Sequence, residues 1–133
     1  MSIQLIQQYH AKVERIIRYG GSRNESALRK PFQDLLEQYA ANRDLLLAEL
    51  PKAGFSEFAP ADGAFYLYCD VGRLTNDSAA FCRQMLDQAG VAATPGTDFD
   101  PGRGNRFVRF SFAGGRADME LAVSRLQRWR AGR

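Results

Sequence analysis

Arg109 stands inside the run Arg106-Phe107-Val108-Arg109-Phe110-Ser111-Phe112-Ala113. The alternation fits a β-strand, with Val108, Phe110 and Phe112 on one face and Phe107, Arg109 and Ser111 on the other. A guanidinium in an otherwise apolar strand is costly to bury without an anionic partner. Held on a rigid strand, its planar fork of donors suits bidentate grip of a carboxylate. The same arginine could instead snorkel to water or pair with a structural Asp or Glu, so spacing alone leaves both roles open.

Other reactive side chains offer less. His10 is the single histidine and has no Cys, carboxylate or second His at ligand spacing, which makes it a helix-face residue. Cys69 and Cys82 are far apart and each sits in an apolar pattern, as expected of reduced core thiols in a cytoplasmic protein. Gly102-Arg103-Gly104 precedes a strand rather than a helix, which argues against a dinucleotide loop. Glu25 has no partner carboxylates with which to hold a metal, so no metal site is expected.

The elements that must position Arg109 follow from periodicity. Ile3, Ile6, Tyr9, His10, Val13, Ile16 and Ile17 recur at helical spacing over about residues 3–18, and Gly20-Gly21-Ser22 breaks the pattern. Pro31 suits a first helical turn, and Phe32, Leu35, Leu36, Tyr39, Leu46, Leu47 and Leu50 share a stripe interrupted by Arg43. Residues 64–71 read as a strand, with Phe65, Leu67, Cys69 and Val71 toward the core and Tyr66 and Tyr68 opposite. Thr75-Asn76-Asp77-Ser78 caps a helix carrying Phe81, Cys82, Met85, Leu86 and Ala89, closed by Gly90. A short strand spans 91–94, a Gly/Pro/Asp loop spans 95–105, and a last helix starts near Gly115 with Met119, Ala122, Val123, Leu126 and Trp129 buried.

This order predicts an α+β fold: a two-layer sandwich in which helices cover one face of a small, mostly antiparallel sheet, with an N-terminal helical extension. Residues 1–30 read as the extension and 31–133 as the main domain. The 133 residues with 45% hydrophobic content suffice for one small core, and a net charge of +3 is too weak to imply nucleic acid. No signal peptide or membrane span is visible in the pattern.

Three motifs in this order resemble the C-terminal small domain of class I/II aminotransferases, the fold type I pyridoxal-phosphate enzymes. They are Gly63-Ala64-Phe65-Tyr66, Gly90-Val91-Ala92-Ala93-Thr94-Pro95-Gly96, and Arg106 to Ala113, and the resemblance runs from about residue 39 to 129. It implies that Arg109, and not Arg106, binds the substrate's α-carboxylate, and that Gly63, Tyr66, Pro95, Gly96 and Ser111 are candidate cleft-lining residues. It also implies pyridoxal phosphate as the parent family's cofactor. Lys12, Lys30 and Lys52 do not match the family's Schiff-base context, so no cofactor bound by this chain alone and no complete transaminase cycle are expected.

Residues 9–39 resemble instead the N-terminal segment of adenine-specific DNA methylase and restriction proteins. There, six cations against two acids over residues 1–31 give a local charge of +4. The chain therefore reads as a fusion: a methylase-like head on an aminotransferase small-domain fragment. The alternatives are a nucleic-acid-binding, restriction-associated fragment and a remnant domain that self-associates. The expected partners are an amino-acid or keto-acid carboxylate and either a second copy or a separate large domain.

Overall fold

The structure, a computed structural model, describes residues 3–19, 25–61 and 63–133, and the side chains of residues 3–5, 15–19 and 25–28 lie outside that description. So do the helix break expected at Gly20-Gly21-Ser22, the Glu25 carboxylate, and Ile3, Ile16 and Ile17 of the first apolar stripe. The described elements are α1 (Ile3–Tyr19), α2 (Glu25–Glu49), β1 (Glu57–Phe58), β2 (Tyr66–Asp70), α3 (Ser78–Ala89), β3 (Thr94–Pro95), β4 (Phe107–Ser111) and α4 (Arg116–Ala131). The strands form one antiparallel sheet in the order β1-β2-β4-β3. This is the expected α+β fold.

β4 lies inside the sheet and carries the alternation read from its sequence. Val108, Phe110 and the following Phe112 are 0%, 6% and 3% exposed, and they meet Leu67 and Cys69 of β2 in the core. Tyr39 and Leu46 of α2, Phe81, Cys82 and Met85 of α3, and Met119, Val123 and Leu126 of α4 close that face. Phe55 sits at the centre, its ring 5.2 Å from Phe110 and 6.2 Å from Phe81 in edge contacts. The helix ends obey their capping residues. Asp77 accepts from the Ala80 amide at 3.0 Å, and Gly90, at φ 67°, closes α3 in the left-handed region that favours glycine.

Several boundaries depart from expectation. α2 begins at Glu25 and passes through Pro31, ahead of the first turn expected at that proline. The proline removes a single amide donor, and Ala27, Leu28, Arg29 and Lys30 ahead of it are good helix formers. A strand at 91–94 shrinks to Thr94–Pro95. The loop at 95–105 contains two 3₁₀ turns, Gly96–Asp98 and Gly104–Arg106. Phe65 and Leu86, expected in the core, are 50% and 52% exposed. Phe65 precedes β2 and leans edge-on against Tyr39 at 5.4 Å, outside the strand's alternation. At α3, Met85 takes the inward position and turns Leu86 about 100° away.

α1 lies along α2, with the Tyr9 ring 6.4 Å from Phe32 and Lys12 3.6 Å from Asp34. His10 is exposed on the helix, as expected. Among the described residues, no helix is long and apolar enough to cross a membrane.

Candidate functional site

Arg109 is fixed in direction by its buried neighbours. With Val108 and Phe110 driven into the core, the alternation sends Arg109 to the opposite face of the sheet. It pairs in register with Tyr68 of β2 on one side and Thr94 of β3 on the other. Its guanidinium carbon lies 4.9 Å from the Tyr66 ring centroid and 4.2 Å from that of Phe99. Both rings can stabilise a cation through their π faces, but neither neutralises its charge. Among the described residues, no carboxylate lies within 4.0 Å of it. Around it Ala59, Pro60, Ala64, Tyr66, Tyr68, Phe99 and Asp100 line a hollow of about 390 Å³.

Arg106, three residues earlier, has a different task. Its Nε and Nη2 donate to the two carboxylate oxygens of Asp70 at 3.1 and 2.7 Å. That guanidinium holds the Asp70 carboxyl below its ordinary range. The pair ties the start of β4 to the end of β2, leaving Arg109 as the strand's uncompensated cation.

Phe99 and Asp100 are delivered by the loop between β3 and β4. Gly96 and Gly104 touch backbone to backbone: a Cβ on Gly104 would stand 2.2 Å from the Gly96 carbonyl. The buried Ser78 hydroxyl donates to the Gly104 carbonyl at 2.8 Å. Asp100 accepts from the Gly102 and Arg103 amides at 3.0 and 3.1 Å, and these bonds hold its carboxyl below the usual range. The amide and close-packing demands of this loop thus account for Gly102-Arg103-Gly104 without a nucleotide. On the near side, Tyr68 stacks on Phe107 at 4.7 Å and 5°. Burial, and then the Asp100 charge, push its phenol pKa up, so it remains a neutral donor.

Of the residues singled out in the sequence, Tyr66 joins Arg109 in the hollow. Ser111 faces the same side but is exposed, accepts from the Ala113 amide at 3.3 Å, and lines a separate hollow with Gly90 and Arg125. Gly63 borders another, beside Tyr39 and Arg43 of α2. Pro95 is half-buried in β3, and Gly96 is buried where any Cβ would meet the Tyr68 hydroxyl. Phe99, Asp100, Ala59 and Pro60 were not foreseen as lining residues; a lone Phe in a loop of Gly, Pro and Asp was the available signal. Asn42 was missed as well. It is fully buried on α2 and donates to the Phe112 and Gly114 carbonyls at 3.0 and 2.7 Å, anchoring the chain as it leaves β4.

The remaining reactive groups stay out of the hollow. Burial pushes the Cys69 and Cys82 thiols up to about 12 and about 11, as inert core residues require. Lys12 and Lys30 flank Asp34 at 3.6 and 3.8 Å, and Lys52 pairs with Glu49 at 2.7 Å. No lysine lines the Arg109 hollow. Among the described residues, no group of three or more His, Cys, Asp or Glu could hold a metal ion.

Residues 22–126 match the family described as aminotransferase class I and II. Valine–pyruvate aminotransferase of Mycobacterium tuberculosis is 52% identical over 94 residues, 71% of this chain and 24% of that protein. Aspartate/prephenate aminotransferase of Thermus thermophilus is 34% identical over 105 residues, 79% of this chain and 26% of its own length. A crystal structure of an aminotransferase from Mycobacterium tuberculosis superposes with a TM-score of 0.77 at 45% identity, over 83% of this chain and 28% of that one. The chain thus spans about a quarter of the length of these relatives. The match takes in residues 22–39, and none of these findings supports the methylase resemblance at 9–39.

Proposed function

The chain belongs to the class I and II aminotransferases, a pyridoxal-phosphate-dependent family, and on that premise we propose that Arg109 grips the α-carboxylate of an amino-acid or keto-acid substrate. The observation that carries this reading is a guanidinium packed against two aromatic rings at the wall of a hollow, with no described carboxylate within 4.0 Å; Asp100, which also lines the hollow, is held by the Gly102 and Arg103 amides. A substrate carboxylate would supply the missing charge in a bidentate, charge-assisted pair. Because β4 is locked by its buried residues, the grip would fix the substrate's orientation, a contribution of positioning rather than bond-making.

Pyridoxal phosphate supplies the electron sink for amino-group transfer in this family. The residues around Arg109 do not fit its covalent attachment, since no lysine reaches them. The proposed role is therefore carboxylate binding without catalysis by this chain alone. Ala59, Pro60, Ala64 and the aromatic rings favour an apolar substrate side chain, and Arg109 is the one cation lining the hollow, which favours a monocarboxylate. That agrees with the valine and pyruvate in the name of one relative.

The test is a titration of isotopically labelled protein with 3-methyl-2-oxobutanoate, read at the arginine Nε–Hε signals by NMR. One signal, absent in Arg109→Gln, should shift saturably with a Kd on the order of 1 mM. Equal shifts in Arg109→Gln, or no shift at all, would sink the assignment. 2-Oxoglutarate should bind more weakly; equal or tighter binding would remove the monocarboxylate preference while leaving the Arg109 assignment standing.

A further inference from the structure

The last turns of α4 hold a second cationic site that carboxylate binding does not use. Residues 121–133 contain four arginines, Arg125, Arg128, Arg130 and Arg133, and no acid. Arg125 and Arg128 stand one turn apart on the helix, where side chains share a face. With Trp129, and with Gln88, Ala89 and Gly90 at the end of α3, they line an open hollow of about 530 Å³. Arg125 uses Nη1 on the Gly90 carbonyl at 3.2 Å, which leaves most of its donors open. Arg128 is exposed and its side chain makes no hydrogen bond within the described residues. Arg133 adds a third cation, 4.7 Å from the Trp129 ring centroid.

No acid lines this hollow. Asp118 shares a neighbouring hollow with Arg125, yet no described carboxylate lies within 4.0 Å of Arg125 or Arg128. Cations at a helix C-terminus ease the helix dipole, which explains Arg128 in the final turn of α4. The Trp129 indole is held there by donating to the Gln88 amide oxygen at 2.8 Å, but neither this bond nor the dipole explains why Arg128 lines the same hollow as Arg125. A single carboxylate would neutralise one guanidinium of the pair. Two adjacent forks match a ligand with at least two negative charges and several oxygens.

We infer that this hollow is a binding site for a phosphate-bearing ligand, with Arg125 and Arg128 on the phosphoryl oxygens and Trp129 along its flank. It shares no lining residue with the Arg109 hollow. Trp129 is the chain's single tryptophan, so its fluorescence reports this site directly. Pyrophosphate titrated at constant ionic strength should change that emission saturably, and ADP should bind within about threefold of pyrophosphate. Arg128→Gln, which breaks no internal bond, should weaken binding about tenfold, and the Arg125→Gln/Arg128→Gln double variant should abolish it, while Arg109→Gln leaves it intact. No saturable change, the same affinity in Arg128→Gln, loss in Arg109→Gln, or binding of ADP without pyrophosphate would each overturn the inference.

Discussion

Arg109 and Phe110 are adjacent on one strand, yet their side chains answer to different forces. Phe110 is buried against Phe55 and belongs to the core. Its truncation to alanine is expected to cost about 3–5 kcal/mol, a large share of a small domain's stability. Arg109→Ala removes a cation with no protein carboxylate to leave behind, so its effect should stay within about 0.5 kcal/mol. Denaturant midpoints compare the two; equal losses would contradict the facing of β4. Asp70 adds a pH signature. Its folded-state pKa lies below the unfolded value of about 3.9, so its pairing with Arg106 contributes stability above that value. The contribution is lost as pH falls through the folded pKa. Asp70→Asn should therefore destabilise the chain at pH 7, by about 1 kcal/mol or less because Arg106 is half exposed, and converge with the wild type once pH falls below the folded pKa. A constant difference across that range would discount the ion pair. The facing of Arg109 was legible in the sequence because a two-residue period leaves one choice once three large apolar residues are placed. Asn42 was not, because its partners are backbone carbonyls seventy residues away that no local pattern encodes.

Among the elements, the β3–β4 loop decides whether the carboxylate hollow exists. Its 3₁₀ turns place Phe99 over Arg109, and the contact of Gly96 with Gly104 holds those turns together. Gly104→Ala inserts a methyl 2.2 Å from backbone that cannot swing aside. It should destabilise the chain by about 1–3 kcal/mol and weaken keto-acid binding, because Phe99 and Asp100 move with the loop. Gly63→Ala meets no atom within 4 Å and serves as the control. Unfolding curves and the same NMR titration check both variants, and a Gly104→Ala protein indistinguishable from Gly63→Ala would refute the loop's role. Helices α3 and α4 were readable from the sequence, their ends marked by Asp77, Gly90 and Gly115. β1 was not, since two residues are too few to show alternation, and its place is set by pairing with Asp70 and Cys69. The start of α2 differs because Pro31 suits a first turn, yet the helix formers ahead of it carry the helix across the one hydrogen bond it lacks.

At the scale of the whole molecule, two expectations follow from what the described surface offers. The first concerns the cofactor. Lys12, Lys30 and Lys52 are each paired with a carboxylate on a helix or turn, none near Arg109. Borohydride reduction of the chain mixed with pyridoxal phosphate should label the lysines weakly and without preference, and a stoichiometric adduct at one of them would overturn that expectation. The second concerns association. α1 covers part of α2 through Tyr9 and Phe32, but Ile6 and Phe32 remain 42% and 49% exposed, and Leu36 and Phe65 are also exposed. Each large apolar side chain transferred from water into an interface gains roughly 1.5–3 kcal/mol when fully buried, so leaving several wet favours a partner. For identical chains, two-fold pairing is the commonest closed arrangement, because one patch then satisfies itself. Ile6 of α1 and Phe32 of α2 are the exposed apolar residues such pairing is expected to bury. Sedimentation equilibrium over a wide concentration range should give a mass rising from 14.9 kDa toward twice that value. Ile6→Glu/Phe32→Glu should hold the chain at the monomer mass, since two like charges would face their own copies across the axis. A wild-type mass fixed at the monomer value would mean that α1, folded back on α2, already suffices to cover its own chain.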